Sequence, residues 1–128
     1  MIDVTCAIIV SNNKILCVQR SALMSMPLKW EFPGGKREEG ESEEECLFRE
    51  IHEELGLVVQ ITDKLRDNIH HYHKNLSIRL IPFICKIVSG ELSLNEHSHS
   101  KWLEKPDLLL LDWADADISI VLDYMKNH

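Results

Sequence analysis

Residues 35–57 read GKREEGESEEECLFREIHEELGL, and nine of the chain's thirteen glutamates lie within them. Ser42 followed by Glu45 is a capping-box signature, in which each side chain satisfies a backbone N–H that the start of a helix leaves free. A helix is predicted from about Ser42 to Leu55, closing on Gly56 at C′. Leu47, Phe48, Ile51 and Leu55 share its expected buried face. Glu50, Glu53 and Glu54 stand at i, i+3 and i+4. That spacing puts three carboxylates within one turn on a neighbouring face, at the edge of the core rather than inside it. Like charges so spaced repel, and packing alone gives no reason to collect them. A bound divalent cation does, and hard carboxylate ligands favour Mg²⁺ or Mn²⁺ over Zn²⁺.

Upstream, Pro33-Gly34-Gly35 predicts a turn where the backbone can approach a ligand closely. Trp30–Phe32 reads as a short extended piece and Ser21–Lys29 as an irregular loop. Asp3–Val10 and Lys14–Arg20 are apolar-rich runs around Ser11-Asn12-Asn13, the signal of a hairpin. Downstream, Leu57–Ile61 and Leu65–Tyr72 look extended. Asn75 turns the chain into a longer strand, Leu76–Val88, which ends at Ser89-Gly90, and Ser100–Leu103 is a further short strand. Ala114–Met125 carries Ile118, Val121, Leu122 and Met125 at helical spacing. Hairpins, a helix, more strands and a last helix imply a mixed sheet with helices packed on it.

The 128 residues suit one domain. A net charge of −7 argues against a nucleic-acid polymer as partner, but not against a nucleotide bridged to the acids by cations. No run approaches the ~18 apolar residues of a membrane span. MIDVTCAIIV lacks the basic leader and small-residue cleavage site of a signal peptide. Cys6, Cys17, Cys46 and Cys85 are far apart and are expected to be buried, reduced thiols, so a cytoplasmic location is expected. His70, His71, His73, His97 and His99 are explained by alternation in an exposed strand and a loop, without a metal.

The opening segment also fills a named pattern at every fixed position. G-x5-E-x7-R-E-U-x-E-E-x-G-U, with U bulky and aliphatic, is met by Gly35, Glu41, Arg49, Glu50, Ile51, Glu53, Glu54, Gly56 and Leu57. A chance match at a given start is roughly one in 10⁸ or rarer. The chain therefore resembles the Nudix hydrolases, which cleave nucleoside diphosphates linked to a further moiety. The resemblance implies a single Nudix domain over residues 1–128, an α/β/α sandwich with the mixed β-sheet between helices. It implies Mg²⁺ as cofactor, with Mn²⁺ as a substitute. Glu50, Glu53, Glu54 and an extra acid, Glu96, become metal ligands, assisted by the backbone carbonyl of Gly34 or Gly35. Glu53, Glu50 and Glu96 are the catalytic acids, with Arg49 and Glu41 holding them in place.

Outside this pattern the resemblance narrows to MutT-like and CTP-pyrophosphohydrolase-like members, which convert nucleoside triphosphates to monophosphate and pyrophosphate. KWEFPGGK (Lys29–Lys36) leads in as it does in those proteins. Glu96 lies upstream of Trp102 in NEHSHSKW, where the group places its extra acid, and DADISIV (Asp115–Val121) matches a segment that reaches the nucleobase. Arg20 is then the candidate phosphate contact, Phe32 the lining of a base pocket and Asp117 the base reader. A surface arginine, a core aromatic and a helix-capping aspartate are the competing readings. An ionised aspartate only accepts hydrogen bonds, which suits cytosine's N4 amine or guanine's N1 and N2, and not O4 of thymine or uracil. Members often place a basic residue before the third-strand region; the nearest here is Lys74, with Leu76 at the matching position. The implied role is nucleotide-pool sanitation, acting on 8-oxo-dGTP or on CTP or a modified pyrimidine triphosphate, by a monomer or homodimer. Tyr72 falls close to, but not at, the tyrosine of dinucleoside polyphosphate hydrolases, and Pro82 lies too far along for the proline of ADP-ribose hydrolases. A non-catalytic nucleotide-sensing domain would have lost box acids, and none is lost.

Overall fold

The computed structural model describes residues 1–73 and 75–128, so Lys74 lies outside the described residues. The frame is a pair of parallel strands, β1 (Ile2–Ser11) and β7 (Leu76–Ser89), in register from Ile2 opposite Ile78 to Ile9 opposite Cys85. Two shorter strands share the other edge of each. On β1 these are β2 (Lys14–Gln19) and β4 (Gly34–Lys36), both antiparallel. The β1–β2 turn holds Asn12 and Asn13 at φ of 52° and 63°. Asparagine tolerates that left-handed region, which closes the expected hairpin tightly. On β7 the partners are β5 (Val58–Lys64) and β6 (Asn68–His73). β3 (Trp30–Glu31) and β8 (His99–Glu104) pair with β2.

Strands covered on both faces need apolar residues at successive positions, and alternate residues feed opposite layers. Ala7, Ile9, Leu16 and Val18 pack with Leu47, Ile51 and Leu55 of α1 (Glu43–Leu55). Cys6, Ile8, Ile15 and Cys17 pack with Ile120, Val121 and Tyr124 of α2 (Asp115–Asn127). One helix on each face of the mixed sheet gives the α/β/α arrangement. The capping box forms: the Ser42 hydroxyl accepts the Glu45 N–H at 3.1 Å, and the Glu45 carboxylate accepts the Ser42 N–H at 2.8 Å. Gly56 ends the helix at φ 71°. All four cysteines are free and buried. No helix among the described residues is long and apolar enough to cross a membrane.

Three expectations are corrected. Pro33-Gly34-Gly35 is not a turn; Gly34 and Gly35 are strand residues, and a Cβ on Gly34 would overlap the Thr5 carbonyl oxygen. The two backbones meet because glycine has no side chain to keep them apart. Phe48 is 41% exposed, whereas Cys46 and Glu54 are buried. The stripe centred on Leu47, Ile51 and Leu55 can be flanked by Cys46 and Glu54 or by Phe48, and the sheet covers the first flank. Glu54 therefore sits inside the core edge, not beside it. The segment Lys105–Leu110, unassigned from sequence, forms a 3₁₀ turn.

Candidate active site

Arg49 gathers Glu41, just ahead of α1, with Glu50 and Glu53 on it. Its Nη2 and Nε donate to the two Glu41 oxygens at 2.7 and 3.0 Å, a bidentate fork that lysine cannot reproduce. Its Nη1 donates to Glu50 at 2.9 Å and to Glu53 at 3.3 Å, and Nη2 also reaches the Lys36 carbonyl at 3.1 Å. The guanidinium, helped by the Glu38 N–H, holds the Glu41 carboxyl down at about 2. Glu50 lies directly over Gly35, where a Cβ would overlap its carboxylate. Hydrogen-bonded and non-bonded pairs alternate along an antiparallel ladder. The bonds from Arg37 N–H to Asp3 O and from Ala7 N–H to Pro33 O mark the bonded positions. Gly35, opposite Thr5, therefore turns its carbonyl into the ladder, and Gly34, opposite Cys6, turns its carbonyl out of it.

A cavity of about 630 Å³ lies beside these acids. Its wall combines Gly34, Gly35, Glu54 and Glu96 with Phe32, Tyr72 and Asp117, and Met24, Ser25 and Met26 of the irregular loop also line it. Glu96 is carried by the β7–β8 connection, which caps the end of α1. Asn95 N–H, Asn95 Nδ2 and Ser93 N–H donate to the carbonyls of Glu54, Glu53 and Leu55 at 3.0, 2.8 and 2.9 Å. Those are carbonyls that a helix end leaves unpaired.

Asp117 is buried, and its Oδ2 accepts the Phe32 N–H at 2.9 Å. It ties α2 to the strand side of the cavity and does not cap its own helix, which has no side-chain cap bond. Burial, with the nearby Glu31 charge, pushes its carboxyl up to about 8 against the pull of the Phe32 N–H and Arg20. The assumption of an ionised Asp117 therefore needs correcting for neutral pH. Arg20 is engaged on three sides, donating to Ser25 O at 2.7 Å, to Ser25 Oγ at 3.1 Å and to Glu31 at 2.8 Å. Three of its five N–H donors are thus occupied, leaving two for a ligand.

The pattern described as NUDIX domain matches residues 1–124. The sequence is 34% identical to the CTP pyrophosphohydrolase of Escherichia coli strain K12, over 98% of this chain and 92% of that protein. It is 47% identical to the 8-oxo-dGTP diphosphatase of the same strain over 110 residues, 86% of this chain and 84% of the relative. The chain belongs to the Nudix hydrolase family. The solution structure of the E. coli ORF135 protein matches its fold with a TM-score of 0.85 at 32% identity, covering 98% of this chain and 89% of that one. Within the family it stands among the MutT- and CTP-pyrophosphohydrolase-like members, and it is an enzyme of the pyrophosphohydrolase type.

The Nudix segment supplies two kinds of acid. Glu41, Glu50 and Glu53 share Arg49, whereas Glu54 Oε2 is buried with no hydrogen-bond partner. Burial and the charges of Glu50, Glu96 and Glu31 push the Glu54 carboxyl well above the usual carboxylate range. A divalent cation fits such a donor set, since it would supply the counter-charge that the protein does not. Among the described residues, no three acids, imidazoles or thiols are drawn into a closed cage. Mg²⁺ rarely needs one, because it keeps waters and shares itself with substrate phosphates.

Sequence reasoning missed Glu31 and His97. Glu31 links Arg20 to His97, whose Nε2 lies 2.8 Å from Glu31 Oε2. His97 was expected in an exposed loop and is buried. The signal for Glu31 was present: it is the one acid in Trp30–Phe32, between two aromatics that the structure buries. His97 gave no comparable signal among its polar neighbours. Of the other histidines, His71, His73 and His99 are exposed, as their alternation suggested.

Proposed function

We propose that this enzyme hydrolyses nucleoside triphosphates to nucleoside monophosphate and pyrophosphate with Mg²⁺, or Mn²⁺ in its place. One observation carries the reading. Glu54 of the Nudix segment, Glu96, the Gly34-Gly35 backbone and the Asp117–Phe32 pair line one cavity of about 630 Å³, within the size range of small-ligand sites. A nucleotide can therefore present its phosphates to the first set and its base to the second at the same time. Glu50, Glu53, Glu54 and Glu96 would hold the cation, with the carbonyl of Gly34 better placed than that of Gly35 because it points out of the ladder. A cation held there would neutralise phosphate charge and lower the pKa of an attacking water. Glu53, the most exposed of the three helix acids, is the residue of this set best placed to accept a proton from that water. Arg49 holds Glu50 and Glu53 on one guanidinium, and Arg20 offers its two remaining donors to phosphate.

The relatives' names support oxidised guanine or cytosine triphosphates as substrates, and with them a role in keeping damaged nucleotides out of DNA. Above about pH 8, where Asp117 is ionised and only accepts, it favours the same bases. Four free, buried cysteines support a cytoplasmic setting. The test is a panel of canonical and oxidised nucleoside triphosphates with Mg²⁺, products resolved by chromatography. Monophosphate and pyrophosphate are expected from at least one of them. Turnover of a dinucleoside polyphosphate or ADP-ribose instead, with no triphosphate cleaved, would overturn the assignment.

A further inference from the structure

His97 is the only imidazole among the described residues that lines the cavity and is also buried, with a side chain 2% exposed. It lies between two carboxylates from different elements. On one side its Nε2 meets Glu31 Oε2 at 2.8 Å. On the other its Nδ1 faces Glu54 Oε2 at 4.0 Å. That Nδ1 and that Oε2 are both buried without a hydrogen-bond partner. Glu31 is itself fixed, because its other oxygen accepts from Arg20 at 2.8 Å. A carboxylate that accepts from one ring nitrogen sets the tautomer and plane of the ring, and thereby what the second nitrogen presents. The backbone on either side of His97 is also pinned, by Asn95 N–H on Glu54 O and by Ser98 N–H on Gln19 O, both at 3.0 Å. The ring therefore has little freedom to move away from Glu54.

We propose that Glu31 and His97 form a positioning pair that fixes the direction in which Glu54 presents its carboxylate to the cation. His97 blocks Oε2 on the buried side, and Glu31 orients His97. The inference rests on the reading above that Glu54 is a cation ligand. It adds two residues outside the Nudix segment that act through Glu54.

The probe is Mn²⁺ alone, with affinity read from the paramagnetic resonance signal of the free ion on the full chain without nucleotide. Outer partners of metal ligands typically contribute 10–100-fold in affinity. His97→Leu is expected to weaken Mn²⁺ binding by about 10-fold, and Glu31→Gln by less. His97→Asn keeps a polar atom near Nδ1 and should recover part of the loss. In a Glu54→Gln background, His97→Leu should cause no further loss, because its route runs through Glu54. If His97→Leu does not fold, His97→Asn and Glu31→Gln carry the same comparison. Binding within about two-fold of the parent in the His97 and Glu31 variants, while Glu54→Gln binds weakly, overturns the positioning pair and leaves the cation site standing. Full Mn²⁺ affinity in Glu54→Gln overturns both.

Discussion

Two acidic regions lie side by side in this protein and behave in opposite ways. Around Arg49, Glu41, Glu50 and Glu53 are held by a cation that the chain itself provides, and Glu41 is driven down to about 2. In the adjoining cavity, Glu54 and Asp117 are buried without an equivalent partner, and Asp117 is driven up to about 8. All are carboxylates; burial without a paired cation raises Glu54 and Asp117, whereas the Arg49 fork lowers Glu41. An acid paired internally is a structural part. A buried acid left unpaired costs stability and makes the site receptive to a ligand that brings charge or hydrogen bonds with it.

Removing the charge of the most exposed helix acid should have the largest effect. Glu53→Gln is expected to keep the fold and lower kcat/KM by ~10²-fold or more at saturating Mg²⁺, measured by pyrophosphate release. Near-parental turnover would break the assignment of the helix face to catalysis.

Asp117 tests the buried side. Asp117→Ala should reduce discrimination between cytosine or guanine triphosphates and those of uracil or thymine by ~1–3 kcal/mol, read from kcat/KM ratios, with the Mg²⁺ requirement unchanged. The parent's preference should also depend on pH. Below about 8 the carboxyl is protonated and can donate to a base carbonyl, so discrimination against uracil narrows. Above about 8 it only accepts, so discrimination widens. A pH-independent ratio, with Asp117→Ala changing thermal stability alone, would reduce Asp117 to its link with Phe32.

Arg49→Lys keeps the charge and loses the fork to Glu41. About 10-fold in kcat/KM should be lost, because Glu50 and Glu53 are no longer held by one planar group. An unchanged rate would mean that charge alone suffices.

The smallest effect is on stability and sharpens the contrast most. A carboxyl whose folded pKa is raised adds stability that is complete below its unfolded pKa and is lost as pH rises through the folded value. Cation-free protein should therefore melt at progressively lower temperature as pH rises from about 4 to 8, the window set by Asp117, with Glu54 adding a loss in the same direction. Glu54→Gln should raise the cation-free melting temperature at alkaline pH, although it lowers activity. Glu41→Gln should lower melting temperature, since its shift has the opposite sign. Calorimetry in chelator checks all three, and the same sign for both variants would erase the distinction between the regions.

What could be read from sequence was whatever depends on neighbours in the chain. The capping box at Ser42 and Glu45 and the Asn12-Asn13 hairpin are local, and each is found where the pattern put it; of the i, i+3, i+4 acids, Glu50 and Glu53 are, while Glu54 is buried. The errors are non-local. Nothing in the helix says whether the sheet will cover Cys46 and Glu54 or Phe48. Nothing near His97 shows that Glu31, 66 residues earlier, will receive its ring. The Gly34-Gly35 turn became a strand because Thr5, far upstream, lies alongside it.

The parallel ladder between Ile2–Ile9 and Ile78–Cys85 also governs when the site can exist. A chain emerging from the ribosome exposes its Nudix segment well before β7 is available, and loop closure over such a span is slow compared with helix formation. Phe32 meets Asp117 only after 85 further residues have been made. A product truncated before residue 117 therefore holds every acid of the motif without the Phe32–Asp117 side of the cavity.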